Sequence, residues 1–184
     1  MVMPDFESIR KHFPLQGRNV ELRHFSEDHI NDRYLNWLND PEVLRYSNQR
    51  FKSHDYESCR TYLKSFQGTG NLFLAIHVKP SGLFVGTMTA YFSSPHKTVD
   101  IGIMIGDKGL WGKGIGRDAW GSLTSFLLNT SLVRKVTGGT VRCNVGMVKI
   151  MLKTEMQPDG VRIAHELVGN IPQDILYFAR FKNV

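Results

Sequence analysis

A glycine-rich loop between a strand-like run and a helix-like run is the part of this sequence most suited to chemistry. The strand-like run covers residues 98–105, and an apolar helical stripe begins at Ile115. The loop region holds four glycines and three cations, at Gly109, Gly112, Gly114, Gly116, Lys108, Lys113 and Arg117. Glycine lets main-chain N–H groups approach a ligand closely, and a helix N-terminus adds free N–H groups and a positive dipole end. The loop therefore predicts a cradle for an anion such as a diphosphate.

The glycine spacing excludes two common phosphate-binding motifs. The chain contains no G-x-x-x-x-G-K-[ST], so the loop is not a Walker A loop. Gly112, Gly114 and Gly116 give G-x-G-x-G late in the chain, whereas the dinucleotide fingerprint needs G-x-G-x-x-G at the first turn of a βαβ unit. The alternative is a plain glycine-rich turn without a ligand, and the neighbouring cations favour the ligand.

The loop also resembles the acetyl-CoA-binding core of the GNAT family of N-acetyltransferases. The family motif Q/R-x-x-G-x-G/A aligns with residues 111–116, WGKGIG, and a tryptophan start is common in the branch with ribosomal-protein and amino-sugar acetyltransferases. The similarity runs from about Asn19 to Phe181. It implies acetyl-CoA as co-substrate, with main-chain groups of the preceding strand and an asparagine after the next strand contacting its pantetheine arm. The implied cofactor-binding residues are Ile103, Met104, Ile105, Trp111, Gly112, Lys113, Gly114, Ile115, Gly116, Arg117 and Asn144.

The implied chemistry is acetyl transfer from a thioester to a neutral amine, and a base must take the proton of that amine. Asp100 is the first candidate for the base, because it lies on the strand before the loop and a lone aspartate is unfavourable in a strand. His77 and His165 are alternatives, since imidazole titrates near neutral pH. The structural alternatives are a strand-end aspartate bonded to a neighbour and histidines satisfied by packing.

Two further residues bear on the mechanism. The tyrosine that often serves as the acid in relatives is replaced by Met151, which cannot donate a proton, so the resemblance leaves the acid unassigned. Cys143 would allow an acetyl-cysteine intermediate, but no histidine stands near it in sequence, and packing is the usual role of a buried cysteine. Direct attack in a ternary complex is therefore favoured, and Lys153 is interpreted as a surface residue.

The resemblance places the acceptor site on two early helices and their connection. The segment NWLNDPEVLRYSNQRF offers Trp37, Arg45, Tyr46, Asn48 and Arg50 as substrate-binding candidates for an anionic or sugar-bearing acceptor. The alternative is that Trp37 and Tyr46 belong to the core. Three functions stay open: acetylation of a small amine such as a nucleotide-linked amino sugar, acetylation of the N-terminus of a protein such as a ribosomal subunit, and acyl-CoA binding without catalysis.

The periodicity along the chain predicts a mixed α/β (α+β) fold with element order β-α-α-β-β-β-α-β-α-β-β. This order matches the GNAT fold, a mostly antiparallel central sheet flanked by helices. Residues 1–18 are expected to form an N-terminal arm and residues 19–184 a single domain. Ser26 and Ser53 are expected to cap the early helices, with a short helix from Pro41, and Asn144 to cap a later helix.

Composition narrows the function classes. A chain of 184 residues with 41% hydrophobic content fits one domain with a substantial core. No apolar run approaches the length of a membrane span and no secretory signal is recognised, so a cytoplasmic protein is expected. Two cysteines and scattered histidines predict neither a disulfide framework nor a metal site. The net charge of +6 is dispersed, which favours a phosphate-bearing cofactor over nucleic acid. The expected partner is a small-molecule amine or a peptide N-terminus, and the expected state is a monomer or homodimer.

Overall fold

The computed structural model describes residues 6–182, so the first residues of the predicted arm lie outside the described part. An eight-stranded sheet runs through the molecule in the order β1-β2-β3-β4-β5-β6-β8-β7. The helices are α1 (Phe6–Arg10), α2 (Asp32–Leu38), α3 (Tyr56–Lys64), α4 (Ile115–Asn129) and α5 (Val145–Lys153). The strands are β1 (Leu15–Gln16), β2 (Val20–His24), β3 (Leu72–Val78), β4 (Leu83–Ser93), β5 (Thr98–Ile105), β6 (Lys135–Val141), β7 (Gln157–Val168) and β8 (Ile171–Phe181). The predicted α/β class with a mostly antiparallel sheet is confirmed.

Helices cover both faces of the sheet, as the central strand β3 makes clear. Leu72, Leu74 and Ile76 are fully buried in one apolar cluster, which also contains side chains of α4 and α5. Phe73 and Ala75 belong to a second cluster with side chains of α2 and α3. Because successive side chains of a strand point to opposite faces, α4 and α5 lie on one side of the sheet and α2 and α3 on the other.

Helix α4 is fixed at its start by a carboxylate. Asp118 accepts hydrogen bonds from the main-chain N–H groups of Arg18, Asn19 and Val20 at 3.0, 2.6 and 3.1 Å. These bonds satisfy the N–H groups at the entry to β2 and hold the first turn of α4 against it. The N-terminal segment joins the domain in the same region, because Leu15 and Gln16 pair with β2 and Ile9 is buried in the core.

Three local expectations about the early helices are wrong. Ser26 precedes only the 3-10 turn Glu27–His29, while Asn31 caps α2 by accepting from the N–H of Tyr34. Asp55, rather than Ser53, caps α3 by accepting from the N–H of Ser58. The chain after Pro41 forms turns instead of an α-helix, and a 3-10 helix follows at Asn48–Phe51. Asp and Asn side chains compete for the same N–H groups, so the cap can shift by a few residues.

Candidate functional site

The sheet opens where β5 and β6 separate. These two strands pair in parallel only at Thr98–Lys135, Val99–Val136 and Asp100–Thr137. Beyond that point β5 stays paired with β4 and β6 stays paired with β8. The two strands therefore diverge, and a cleft of about 1260 Å³ passes between them from one face of the sheet to the other.

Main-chain groups of β5 point into this opening. The N–H of Gly106 donates to the carbonyl of Val85 on β4 at 2.9 Å, which fixes the alternation along the strand. In an antiparallel ladder every second residue faces the partner strand, so Met104 pairs toward β4 while Ile103 and Ile105 direct their N–H and C=O groups into the gap. The carbonyl of Ile105 is already used, because it accepts from the Trp111 indole at 2.8 Å. Of the three predicted strand residues, Ile103 thus offers both main-chain groups, Ile105 offers its N–H, and Met104 lines the cleft with its side chain.

The glycine loop forms the predicted cradle of N–H groups at one end of the cleft. Gly112 and Gly114 adopt φ values of 75° and 84°, a left-handed conformation that side chains disfavour. Gly114 is the N-cap residue of α4 and has no side chain to cap the helix. Within residues 6–182, the N–H groups of Gly112, Gly114, Gly116 and Arg117 have no hydrogen-bond acceptor. Free N–H groups at a helix N-terminus can bind an anion without further rearrangement.

The remaining predicted loop residues are also at this end. Trp111 and Lys113 line the cleft, while the side chain of Ile115 is buried in the core and leaves only its N–H for a ligand. Asn144 lines the cleft and caps α5, because its side-chain oxygen accepts from the N–H of Met147 at 3.2 Å. Its amide also donates to the Thr140 hydroxyl at 3.1 Å, which fixes its orientation.

The positive charge around the cradle differs from the expectation. Lys113 and Arg117 line the cleft, but Lys108 pairs instead with Asp40 at 2.8 Å and Glu42 at 2.9 Å. These hydrogen-bonded pairs raise the pKa of the Lys108 ammonium and lower that of the Asp40 carboxyl. Two lysines that the sequence analysis did not assign to the site replace Lys108: Lys149 and Lys153, one turn apart on α5, both line the cleft. Their i, i+4 spacing after the Asn144 cap was the available signal. Lys153 is exposed, as the sequence predicted, and it also lies on the cleft wall.

The opposite end of the cleft lies on the α2–α3 face, where polar side chains lie among apolar ones. We call this end the acceptor pocket. Its lining comes from α2, α3 and their connection and includes Tyr34, Glu42, Arg45, Tyr46, Ser47, Gln49, Lys52, Ser53, His54, Ser58 and Tyr62. Arg45 and Tyr46 therefore lie where the sequence predicted, and the Arg45 guanidinium stands over the Tyr46 ring at 5.3 Å.

Three other predicted acceptor residues lie elsewhere. Trp37 is buried in the core and packs on Gly106 so closely that a Cβ there would stand 2.0 Å from the indole. Arg50 donates to the carbonyls of Ser47 and Leu167, and Asn48 donates to Glu166 at 3.0 Å. Arg50 and Asn48 thus fix the connection to the β7–β8 hairpin instead of reaching into the cleft.

Comparison with known proteins decides the family. A family model described as an acetyltransferase (GNAT) domain matches residues 19–157, most of the chain. The chain belongs to the GNAT acetyltransferase family. The similarity inferred from the glycine loop is thereby confirmed, and family membership makes the chain an N-acetyltransferase. No curated protein matches the sequence.

Solved structures share the GNAT fold at low sequence identity. An acetyltransferase of the GNAT family from Bacillus anthracis has a TM-score of 0.77 at 17% identity, over 91% of this chain and 98% of that one. RimL, the ribosomal L7/L12 alpha-N-protein acetyltransferase solved in complex with coenzyme A, has a TM-score of 0.78 at 16% identity, over 91% and 96% of the two chains. The spermidine N-acetyltransferase from Vibrio cholerae, solved with CoA and spermine, has a TM-score of 0.78 at 12% identity, over 89% and 96%.

Of the three candidate bases in this GNAT chain, only Asp100 lies beside the cleft. It is on the same face of β5 as Gly102 and Met104, which line the cleft, and is one position further along that face. The surrounding chain partly desolvates the carboxyl of Asp100, and this raises its pKa. The hydrogen bond from the Thr137 hydroxyl, at 2.7 Å, lowers the pKa. Of the three predicted bases, Asp100 is thus the one whose position is compatible with that role.

The two histidines do not reach the cleft. His77 is buried on β3, where its Nδ1 bonds to the Gly82 carbonyl at 2.9 Å and its Nε2 lies 3.1 Å from Nε2 of His29. His165 is exposed on β7, with Arg162 as its neighbour at 3.5 Å. The histidine that does line the acceptor pocket is His54, whose sequence context gave no signal.

Between residues 6 and 182, no group of three or more His, Cys, Asp or Glu side chains is arranged to hold a metal ion. No helix in that range is long and apolar enough to cross a membrane.

Proposed function

We propose that this chain transfers an acetyl group from acetyl-CoA to a primary amine, by direct attack of the amine within a ternary complex. The observation that carries the proposal is the separation of β5 and β6, which joins the N–H cradle on the α4–α5 face to the acceptor pocket on the α2–α3 face. A cofactor with an anionic end and a reactive end needs such a passage, because its two ends must reach opposite sides of the sheet.

Charge and free hydrogen-bonding groups support the fit of coenzyme A. The N–H groups of Gly112, Gly114, Gly116 and Arg117 can bind the diphosphate, and the cations Lys113, Arg117, Lys149 and Lys153 can neutralise the phosphates. Ile103 can hold the amide-bearing arm as a neighbouring strand would, and an N–H of β5 can polarise the thioester carbonyl. RimL and the Vibrio cholerae enzyme were both solved with coenzyme A.

Side chains of this chain account for removal of the amine proton and for direct transfer without an acyl-enzyme intermediate. Asp100 takes the proton of the amine, directly or through a water molecule, as the nitrogen attacks the thioester carbon. The C–S bond then breaks, and coenzyme A leaves as a thiolate that takes up the proton from the amine or from water. Cys143 does not line the cleft, and Cys59, which does, is buried with a raised pKa of its thiol. Since a thiolate is needed for acyl-cysteine formation, this arrangement supports direct transfer.

A protein N-terminus is the second candidate acceptor, and one observation favours it. Phe51 is 73% exposed in the connection that lines the acceptor pocket, and Leu167 is 55% exposed where Arg50 joins this connection to β7. Exposed apolar side chains beside a pocket suit a peptide that extends beyond its first residue. RimL, which resembles this chain in fold, is named for a protein substrate.

Initial rates of CoA release, with acetyl-CoA and the amine both varied, test the proposal. Double-reciprocal lines that intersect are expected, because both substrates must be bound before transfer. Parallel lines would contradict the ternary complex. A panel of small amines and short peptides with free N-termini separates the two acceptor classes. Coenzyme A binding without turnover of any amine or peptide would instead support an acyl-CoA-binding module without catalysis.

A further inference from the structure

The acceptor pocket carries cations without carboxylate partners, and we infer that the acceptor amine belongs to a molecule with a negatively charged group. A phosphate and a carboxylate share the chemistry that such a pocket recognises. The inference rests on the proposed function, since it names the class of amine that the same site acetylates.

The two cations concerned are Arg45 and Lys52. Both side chains are exposed and line the acceptor pocket. Among the described residues, neither has a carboxylate within 4.0 Å, whereas Lys108, Arg33 and Arg142 elsewhere in the chain each have one. A cation that lines a pocket without a partner is available to a ligand anion at no cost of breaking an existing pair.

The acidic side chain in the pocket lining, Glu42, does not neutralise Arg45 and Lys52. Glu42 is the acidic residue among the described residues of the cleft wall, and its carboxylate lies 2.9 Å from the Lys108 ammonium. Lys108 also holds Asp40 at 2.8 Å, so both carboxylates are drawn toward the glycine loop. Among the residues that line the acceptor pocket, Arg45 and Lys52 are therefore the charged side chains left without a partner, and the carboxyl beside the cleft on the same face is that of the proposed base, Asp100.

The backbone that carries the two cations is fixed at several points. Arg50 donates to the carbonyl of Ser47 at 2.8 Å and to that of Leu167 at 2.9 Å. The Asn39 side chain accepts from the N–H of His54 at 3.1 Å and donates to its carbonyl at 2.8 Å. Because the segment between Arg45 and His54 is held at these sites, a ligand anion meets cations on an ordered backbone, which lowers the entropy cost of binding.

The cofactor phosphates do not account for Arg45 and Lys52. Lys113, Arg117, Lys149 and Lys153 line the cleft from the loop and helices of the α4–α5 face, beside the free N–H groups. Arg45 and Lys52 belong to the connection on the α2–α3 face. The free N–H groups and these four cations lie on the glycine loop, α4 and α5, whereas Arg45 and Lys52 lie on the connection between α2 and α3, so we infer that they meet a second anion.

The inference also excludes an acceptor class. A polyamine carries several positive charges and requires carboxylates to hold them, and the pocket instead presents two cations. The fold similarity to a spermidine N-acetyltransferase, at 12% identity, therefore does not by itself make a polyamine the acceptor of this chain. We expect repulsion between Arg45, Lys52 and a polycation to weaken its binding.

Acceptor pairs that differ in one charged group test the inference. CoA release is measured with glucosamine 6-phosphate and glucosamine, with an amino acid and its amide, and with spermidine. We expect kcat/KM to be about tenfold higher for the anionic member of at least one pair, to fall with added salt, and to be lowest for spermidine. The double substitution Arg45→Gln with Lys52→Gln should bring the anionic-to-neutral ratio close to one and leave the Kd of coenzyme A unchanged. Lys64→Gln, on the exposed side of α3, makes a similar charge change away from the cleft and should preserve the ratio.

Two results would overturn the inference while leaving the proposed function intact. One is equal or faster turnover of the neutral amines or of spermidine. The other is an anionic-to-neutral ratio that survives the double substitution. Tight binding of coenzyme A without turnover of any amine would instead refute the proposed function, and the inference with it.

Discussion

The ammonium of Lys108 lies 2.8 Å from the carboxylate of Asp40, and this pair joins the two halves of the cleft. Lys108 is at the start of the glycine loop, and Asp40 lies two residues after the end of α2, in the connection that lines the acceptor pocket. A second contact, from Arg33 to Asp107 at 3.9 Å, spans the same boundary. The position of the cofactor loop is thus coupled to that of the acceptor wall.

Lys108→Met should loosen both halves of the cleft together. We expect KM to rise about threefold to tenfold for acetyl-CoA and for the amine, with a smaller change in kcat, because the pair positions groups without touching the reacting atoms. High salt should also raise both KM values of the native enzyme, by a smaller factor, because it screens this ion pair. Arg60→Met removes a comparable exposed pair with Glu57 on α3 and should leave both KM values unchanged. A rise confined to the KM of acetyl-CoA would mean that Lys108 binds the cofactor directly.

Asp100→Asn should reduce kcat about a hundredfold and remove the acidic limb of its pH profile. In the native enzyme kcat should rise with pH through the raised pKa of Asp100 and level off above it, since only the carboxylate can accept a proton. Thr137→Val removes a hydrogen bond that lowers this pKa, so the limb should move to higher pH with the same plateau. A profile that neither substitution shifts would exclude Asp100 as the base.

Asp100→Asn should also stabilise the fold at neutral pH. The pKa of Asp100 is higher in the folded than in the unfolded chain, so ionisation of this carboxyl destabilises the fold as pH rises from the unfolded to the folded pKa. Removing the charge should therefore raise the urea midpoint at neutral pH and leave it unchanged at low pH, where the carboxyl is protonated. An unchanged or lowered midpoint at neutral pH would indicate that Asp100 mainly holds the strands together.

Trp37 and Arg45 are both predicted as acceptor-binding residues, and the free energy of unfolding of their alanine variants distinguishes a core role from a binding role. Trp37→Ala should lower the free energy of unfolding by about 3–5 kcal/mol, since its ring packs on Gly106 and on Phe84 at 5.1 Å between ring centres. Arg45→Ala should change it by less than about 0.5 kcal/mol while lowering kcat/KM for the acceptor. Urea titration and CoA release on both variants check this division. A stable Trp37→Ala protein with weak acceptor binding would return Trp37 to the site.

Lys149 and Lys153 provide the test of the charge around the cradle. Replacing both with glutamine should weaken coenzyme A binding about tenfold and reduce its dependence on salt, because fewer cations face the phosphates. Lys64→Gln again serves as the control, and calorimetry at two salt concentrations measures the effect. An unchanged Kd in the double variant would assign the phosphates to Lys113 and Arg117.

Local sequence patterns were enough to predict the parts of the site that are built from neighbours in the chain. The free N–H groups depend on Gly112, Gly114 and the start of α4, and the Asn144 cap depends on Met147 three residues later. Glycine conformation and helix capping act over one or two turns, so a single sequence carries them. The succession of β2 to β8 along the chain likewise followed from alternation and turn residues, whereas the two-residue strand β1 lies in the segment predicted as an arm.

The rest depends on contacts between distant segments. Nothing local in β5 indicates that its pairing with β6 ends at Asp100, while β6 itself stays paired with β8 as far as Val141. Lys108 has the same local setting as Lys113, yet Asp40 and Glu42 from another part of the chain neutralise it. His54 and His77 differ in the same way: tertiary packing brings the first to the cleft and buries the second beside His29.

Calorimetric titration of coenzyme A into the native protein and two alanine variants tests the central claim most directly. Gly114→Ala places a side chain at φ 84° in the N–H cradle, and Gly82→Ala places one at φ 64° in the distant β3–β4 turn, where a Cβ also meets no neighbour within 4 Å. The cradle predicts that the native protein binds, that Gly82→Ala binds equally well, and that Gly114→Ala loses at least about tenfold in affinity because its N–H groups turn away from the diphosphate. Absence of binding to the native protein, or equal affinity of all three, would contradict the account.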